Sequence, residues 1–308
     1  MARPNKKQHT IPRIYLQAFA NSSSVIWVAD ESLKIYQQKP ENVLTERDYY
    51  TIRFKTGGGT LDIETKYLNG IEASYADIYR EKIEKRLRIT EEEKAKISVF
   101  VASMMQRQPV SRGSLERFFK DAERVITHMR GLPDKVKKQL ASLPTSSSSE
   151  SISAKELLEI GKDVGSLHSS LIPSTVDGIA PIIFDMKWSF VVRPKDSNPF
   201  IASNNPCVMV NPATENEIGR GKIGSMPGLI QKDVELTLPL SPDISLLCGW
   251  IIEKDCFYVP TYSEMVDEIN RRTSRHARTL ISSSKDMMEQ RVESIKSHKK
   301  EGEEKNYI

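Results

Sequence analysis

The sequence predicts an α+β fold: a short N-terminal β region, a central helical part, and a C-terminal antiparallel β part with a final helix. Three observations carry this. Short runs rich in β-branched and aromatic residues occupy the chain before Lys55 and again from Trp188 onward. Between them, apolar residues recur at three- and four-residue steps, the period of an amphipathic helix. Strands and helices are grouped rather than alternated, so nothing points to a parallel sheet built with crossover helices.

In chain order, residues 1–8 read as a polar arm. From Pro12 to Ala20 the positions Ile14, Tyr15, Ala18 and Phe19 recur at helical spacing, and Pro12 suits a first helical turn. "SVIWVADESLKIYQQK" reads as a hairpin around an Asp-Glu-Ser turn, "DYYTIRF" as a third strand, and "KTGGGT" as a mobile loop. Leu61, Leu68, Ile71, Tyr75 and Ile78 then form one stripe of a long helix. Thr90 and Glu93 fit a capping box before a helix that buries Ile97, Phe100, Val101, Met104 and Met105. That helix should stop near "RQP", because Pro109 disfavours helical geometry in the residue before it. "SLERFFKDAERVITHMRGL" predicts a third helix ended by Gly131.

The low-complexity stretch "TSSSSESIS" at 145–153 reads as a flexible polar insertion, since helical pattern resumes at "AKELLEIGKDVGSLHSSL". Strand-like runs follow at "WSFVVRP", "FIASNNPCVMV", "VELTLPLSP", "ISLLCGWII" and "FYVP", with a glycine-containing loop from Asn211 to Gly228. A final helix is expected over Ser263–Ile281. The expected organisation is a single domain over residues 1–285 and a charged tail over 286–308, a frayed helix or disordered.

Bulk properties narrow the class. With 308 residues, 38% hydrophobic and 28% charged, the chain can bury a substantial core. A net charge of +4, from 45 basic and 41 acidic residues, is too small to argue for nucleic acid by itself. Cys207, Cys248 and Cys256 form no CxxC pair, and a sparse odd set fits a reducing cytoplasm. No apolar run approaches the ~20 residues that span a bilayer. No apolar segment follows Arg3, Lys6 and Lys7, so the N-terminus does not read as a signal peptide, and a cytoplasmic protein is expected.

Several motifs in order carry a family resemblance: "HTIPRIYLQAF" (H-x-x-P-x-x-Y-L-x-x-F), "IETKYLNGIEASYADI", "QRQP", "FIASNNPCVM", "PLSP" and "EINRRTSRHA". Together they span nearly the whole chain, which resembles the bacterial DUF4238 family. The resemblance implies no settled activity. The family pattern usually has aspartate in S-D-x-P, whereas this chain has Asn204, and an amide is neither a general base nor a strong cation ligand.

The candidate site residues come from several elements. His9 either exchanges protons or holds a ligand at a pocket edge, or caps and plugs the N-terminus. Arg13 stands beside it. Glu64 and Glu72 are ~12 Å apart along a helix, too far for a dyad or one shared metal, so each needs other partners, arginines being the simplest. Arg107 and Arg112, near a helix end, suit a phosphate or carboxylate, or else salt bridges to those glutamates. Asn204 lies in an Asn-Asn-Pro turn at a strand end, where turns and pockets both occur. Asn270 suits a ligand or a buried backbone group. Arg271, Arg272, Arg275 and Arg278 give a nucleic-acid surface or a solvated helix face; His276 is expected exposed among them. No P-loop, G-x-S-x-G or HExxH motif is present, no metal set is expected, and no cofactor is named.

Two functions stay open. One is a hydrolase or nuclease acting on a phosphate-bearing substrate, with His9, Glu64, Arg107 and Asn204 converging on one cleft. The other is a non-catalytic ligand- or nucleic-acid-binding regulatory protein. A role in bacterial defence is suggested only by the scattered occurrence of such families.

Overall fold

The computed structural model describes residues 7–54, 56–136, 152–212, 227–253, 255–275 and 277–304, with side chains through residue 297. His276, most of the 145–153 insertion and most of the Asn211–Gly228 loop lie outside them.

Lys7 and Gln8, expected within a polar arm, belong to a strand. Lys7–His9 form strand β1, antiparallel to β4 (Thr45–Arg47), because the amide side chain of Gln8 is buried and engaged. Helix α1 (Arg13–Gln17) follows Pro12, and Ile11, Tyr15, Leu16 and Phe19 dock it into the core. The expected hairpin forms as β2 (Ile26–Ala29) and β3 (Ile35–Gln38). At its turn the Asp30 carboxylate accepts from the Ser32 and Lys34 backbone amides at 2.9 and 3.1 Å. "DYYTIRF" contributes only β5 (Ile52–Arg53), paired with β6 (Gly59–Thr60), since Tyr49 and Tyr50 turn inward instead of alternating. The glycine run, expected as a loop, turns this small hairpin, with Gly57 and Gly58 at φ of +92° and +79°.

Helix α2 (Asn69–Ile78) continues at both ends into π-helical turns, Ile63–Leu68 and Tyr79–Ile83. Its stripe buries Leu68, Tyr75, Ile78 and Ile83. Thr90 caps α3 (Glu91–Arg107) as the sequence indicates: Glu93 N donates to Thr90 Oγ1 at 3.2 Å, and Thr90 N to Glu93 Oε2 at 2.8 Å. The third helix, α4 (Pro109–Gly131), starts earlier than Ser114. Gln108 is extended, and Pro109, which lacks an N–H, fits a first helical position. Ser153 caps α5 (Ala154–Ile160), and a 3₁₀ turn leads into α6 (Val164–Asp185), which packs along α3.

The C-terminal part supplies β7 (Lys187–Val192), β8 (Ala202–Ser203), β9 (Val208–Val210), β10 (Glu235–Pro239), β11 (Ile244–Gly249) and β12 (Phe257–Pro260). Helix α7 (Ser263–Arg275), strand β13 (Leu280–Ser282) and helix α8 (Lys285–Glu304) follow. One sheet runs β12-β7-β11-β10-β9, antiparallel except for β12 on β7. "PLSP" is the β10–β11 corner, where Leu240 and Ser241 amides both donate to the Ile244 carbonyl, at 2.8 and 3.1 Å. The second sheet runs β3-β2-β13-β8 and so joins the N-terminal hairpin to C-terminal strands.

Two expectations are corrected here. The final helix ends at Arg275 rather than Ile281, because Leu280, Ile281 and Ser282 are all buried and pair with β2 and, in part, with β8. The charged tail begins as a packed helix: Met287, Met288 and Val292 of α8 are buried with Ala29, Ile201 and Leu280. Among the described residues, no helix is long and apolar enough to cross a membrane.

A buried lysine fastens α3 to the larger sheet. Lys94 Nζ donates to the Met186 carbonyl at 2.9 Å and to Asp255 Oδ2 at 2.8 Å, and stands 5.2 Å from the Trp188 ring. Asp255 Oδ1 accepts from Trp188 N at 2.8 Å. Asp255→Ala strands that ammonium, and urea unfolding should show a loss of about 3 kcal/mol. Lys94→Met, which refills the volume with apolar atoms, should cost clearly less.

Candidate functional site

Arg107, in the last turn of α3, is the centre of a polar network that reaches three other segments. Its Nε donates to the Tyr50 hydroxyl at 2.9 Å, its Nη2 to the His9 carbonyl at 2.7 Å, and its Nη1 to Glu72 of α2. The Tyr50 hydroxyl passes its own proton to the Thr10 carbonyl at 3.2 Å. Beside this set, Gln8 Nε2 donates to Glu64 at 2.7 Å, while Gln8 Oε1 accepts from Tyr50 N at 2.6 Å. Burial works against the Arg107 charge, but Tyr50 and Glu72 more than offset it, so the guanidinium is held above its ordinary pKa. Burial raises Glu64, opposed by the Gln8 bond and Arg107.

His9 is half-buried, and its Nε2 is enclosed without a hydrogen-bond partner. Burial lowers its pKa, a bond to the Pro40 carbonyl and the Glu72 charge oppose this, and Arg107 and Arg13 lower it further. The imidazole is therefore uncharged near neutral pH.

Three of the four residues expected in one cleft thus share a network: His9, Glu64 and Arg107. Glu72 meets an arginine, whereas Glu64 meets Gln8 instead. Asn204 stands apart from them. Its Oδ1 accepts from the Arg278 and Thr279 amides at 2.9 and 3.2 Å, tying the Ser203–Asn205 turn to the segment before β13. Asn205 N closes that turn on Ser203 Oγ at 3.1 Å. Asn270 is engaged by backbone on both amide atoms, with Ile201 N and the Pro199 carbonyl each at 3.0 Å. Arg272 is buried and pairs with Glu235 at 2.6 Å and Glu268 at 2.8 Å, so it pins α7 to β10 rather than facing solvent. Arg271 also meets Glu268, at 2.6 Å.

A cleft of about 690 Å³ opens beside this network. Its walls are Glu46 of β4 and Tyr49 just after it, the first three turns of α4, the Asn204–Asn205 turn, and Arg278. Arg112, Arg117, Lys120 and Arg278 line it, against the carboxylates Glu46 and Glu116. Arg112 is held in place: its guanidinium lies 5.0 Å over the Tyr49 ring and its Nε reaches Glu116 at 3.1 Å. The sequence suggested Glu64 or Glu72 as its partner, but α4 turns Arg112 away from α2. Arg117 bonds Ser114 Oγ at 3.1 Å, and Arg278 stands 3.9 Å from Glu31.

Sequence reasoning missed Tyr49, Arg117, Lys120 and His168. Arg112, Glu116 and Lys120 do repeat at four-residue steps, which marks one helix face. Nothing in the sequence signals the other three. His168 of α6 is 4% exposed, and its ring has the Gln106 carbonyl as a polar neighbour. Burial and then Arg112 push its pKa down to about 4, with the Gln106 carbonyl and Glu116 opposing. Among the described residues no group of three or more His, Cys, Asp or Glu side chains could hold a metal ion.

A family model described as "Protein of unknown function (DUF4238)" matches residues 7–287. No curated protein matches the chain, and no solved structure does.

Two outcomes are expected from this geometry. Arg107→Ala takes the guanidinium from a half-buried carboxylate, a hydroxyl and a carbonyl and should cost about 3 kcal/mol in urea unfolding. Arg107→Lys should recover only part, because an ammonium cannot span the three acceptors of a guanidinium fork. For His168, the unfolded chain takes a proton near 6.5 and the folded one only near about 4. Stability from this residue is therefore complete above pH 6.5 and lost as pH falls toward about 4, by about 3 kcal/mol in all. Denaturation of His168→Gln at pH 7 and at acid pH should show a flatter dependence than the parent.

Proposed function

We propose, for a chain that belongs to the DUF4238 family, that the cleft binds a phosphate-bearing anion. The observation that carries this reading is the convergence of Arg112, Arg117, Lys120 and Arg278, from two separate parts of the chain, on one concave surface. Guanidinium forks match phosphate oxygens in pairs, and Arg112 is already oriented by the Tyr49 ring. Asn204 adds to the argument. Where the family pattern has aspartate, the amide still accepts two backbone N–H groups but brings no negative charge to the cleft.

Binding without turnover is the reading the geometry favours. Glu64 and Glu72 are committed to Gln8 and Arg107, and His9 does not line the cleft. One observation supports a hydrolase instead: the uncharged His9 imidazole, with an unpaired Nε2 in the field of Glu72, has the state of a general base. A nuclease reading has less behind it, since Arg278 alone of the four C-terminal arginines lines the cleft.

Titration calorimetry with pyrophosphate tests the proposal. The parent protein should bind, with affinity falling as salt rises, and Arg112→Ala and Arg278→Ala should each weaken binding about tenfold, the loss of one charge-assisted contact. Absence of binding by the parent, or unaltered binding by the double variant, sinks the reading. Turnover of p-nitrophenyl phosphate that disappears in His9→Ala would move the conclusion to the hydrolase; no turnover by the parent removes that alternative.

A further inference from the structure

Beside the cationic wall, the lining residue Tyr49 carries a polar atom that the fold leaves unmatched, and its ring packs on His168, which stands outside the lining. The Tyr49 hydroxyl is enclosed and has no hydrogen-bond partner, and His168 has the Gln106 carbonyl at one ring nitrogen, which leaves the other unmatched. Tyr49 is 3% and His168 4% exposed. Their rings stand 6.2 Å apart at 71°, and the β4–β5 connection that carries Tyr49 is tied to α6 by Ser169 Oγ donating to the Tyr49 carbonyl at 3.2 Å. Tyr49 lines the cleft, and its phenol lies in the fields of Glu46, Arg112 and Glu116, all cleft residues. Native proteins leave few buried polar atoms unpaired, so a group of them at one place calls for a partner.

We infer that the Tyr49 end of the cleft is a second, uncharged subsite, where the Tyr49 hydroxyl, its ring backed by His168, receives the hydroxyl-bearing part of a phosphorylated polyol such as a sugar phosphate. This rests on the reading of the outer cleft as an anion site. The chemistry matches on both sides. A phenol can serve as donor or as acceptor, and a sugar hydroxyl can meet it in either sense. A nucleobase fits less well, because it needs an open aromatic face. Among the described residues Tyr49 is the one aromatic that lines the cleft, and Arg112, Tyr50 and His168 already occupy its ring. Access runs through Arg112. Its guanidinium covers the Tyr49 ring, and a phosphate that draws it outward uncovers the hydroxyl behind it.

Titration calorimetry with inorganic phosphate, ribose 5-phosphate and adenosine monophosphate reads the subsite. Ribose 5-phosphate should bind the parent at least about tenfold tighter than inorganic phosphate, the worth of a hydrogen-bonded pair, and tighter than the nucleotide. In Tyr49→Phe the affinities for ribose 5-phosphate and phosphate should become equal. That variant should melt, without ligand, at or above the parent temperature, because it removes an unpaired buried hydroxyl. Equal binding of phosphate and ribose 5-phosphate by the parent overturns the subsite while leaving the anion site standing. Preference for the nucleotide overturns the polyol assignment, and failure of all three ligands overturns both readings. A Tyr49→Phe protein that melts lower and keeps the preference shows a hydroxyl held for structural reasons, and the subsite falls.

Discussion

The buried guanidinium of Arg107 is the constraint on which the rest of the arrangement depends. A charge enclosed to this degree is tolerated only if every donor finds an acceptor. Here the acceptors come from Tyr50, Glu72 and the backbone of His9, so β1, the β4–β5 connection and α2 are all fixed relative to α3 by one side chain. Because α3 ends at Arg107 and α4 begins at Pro109, the same tie also sets where α4 departs. The cleft is a consequence. Its α4 wall starts two residues beyond Arg107, and its opposite wall, Glu46 and Tyr49, belongs to the segment that Arg107 holds through Tyr50.

Electrostatics then divide this region into two parts with different roles. Around Arg107, cations and carboxylates neutralise each other at short range, which stabilises geometry and leaves little net field. Among the described residues that line the cleft, four cations face two carboxylates, with local contacts Arg112–Glu116, Arg112–Tyr49, Arg278–Glu31 and Arg117–Ser114. Unbalanced charge at a concave surface attracts anions more effectively than the same charge on a convex one, because low-dielectric walls focus the field. His168 and Tyr49 lie behind this field without charge of their own.

Much of the architecture was legible because it is encoded locally. The Thr90–Glu93 cap, the β2–β3 hairpin and the buried stripe of α2 depend on residues within a few positions of each other. The end of α3 before Pro109 also follows from local backbone sterics. The misses share another cause. Leu280 and Ile281 fall inside the expected helix because they follow a helical pattern, yet β2 and β8 flank them and claim their backbone groups. Tyr49 and Tyr50 looked like strand residues, but they leave the strand pattern because Arg107 and Arg112 engage their rings.

For the candidate site, the sequence by itself determined which residue types were present: an imidazole near the start, two glutamates on one helix, guanidinium groups at a helix junction and an amide-rich turn. It also determined that Glu64 and Glu72 could not act together, since helical rise alone separates them. Only the tertiary structure decided who meets whom. It placed His9, Glu72 and Arg107 in one network, gave Asn204 to the backbone before β13, and brought Arg278 opposite α4. The physical reason is that such pairings depend on long-range closure of the chain, where burial selects the partner for each charge, and burial is a property of the whole fold rather than of any segment.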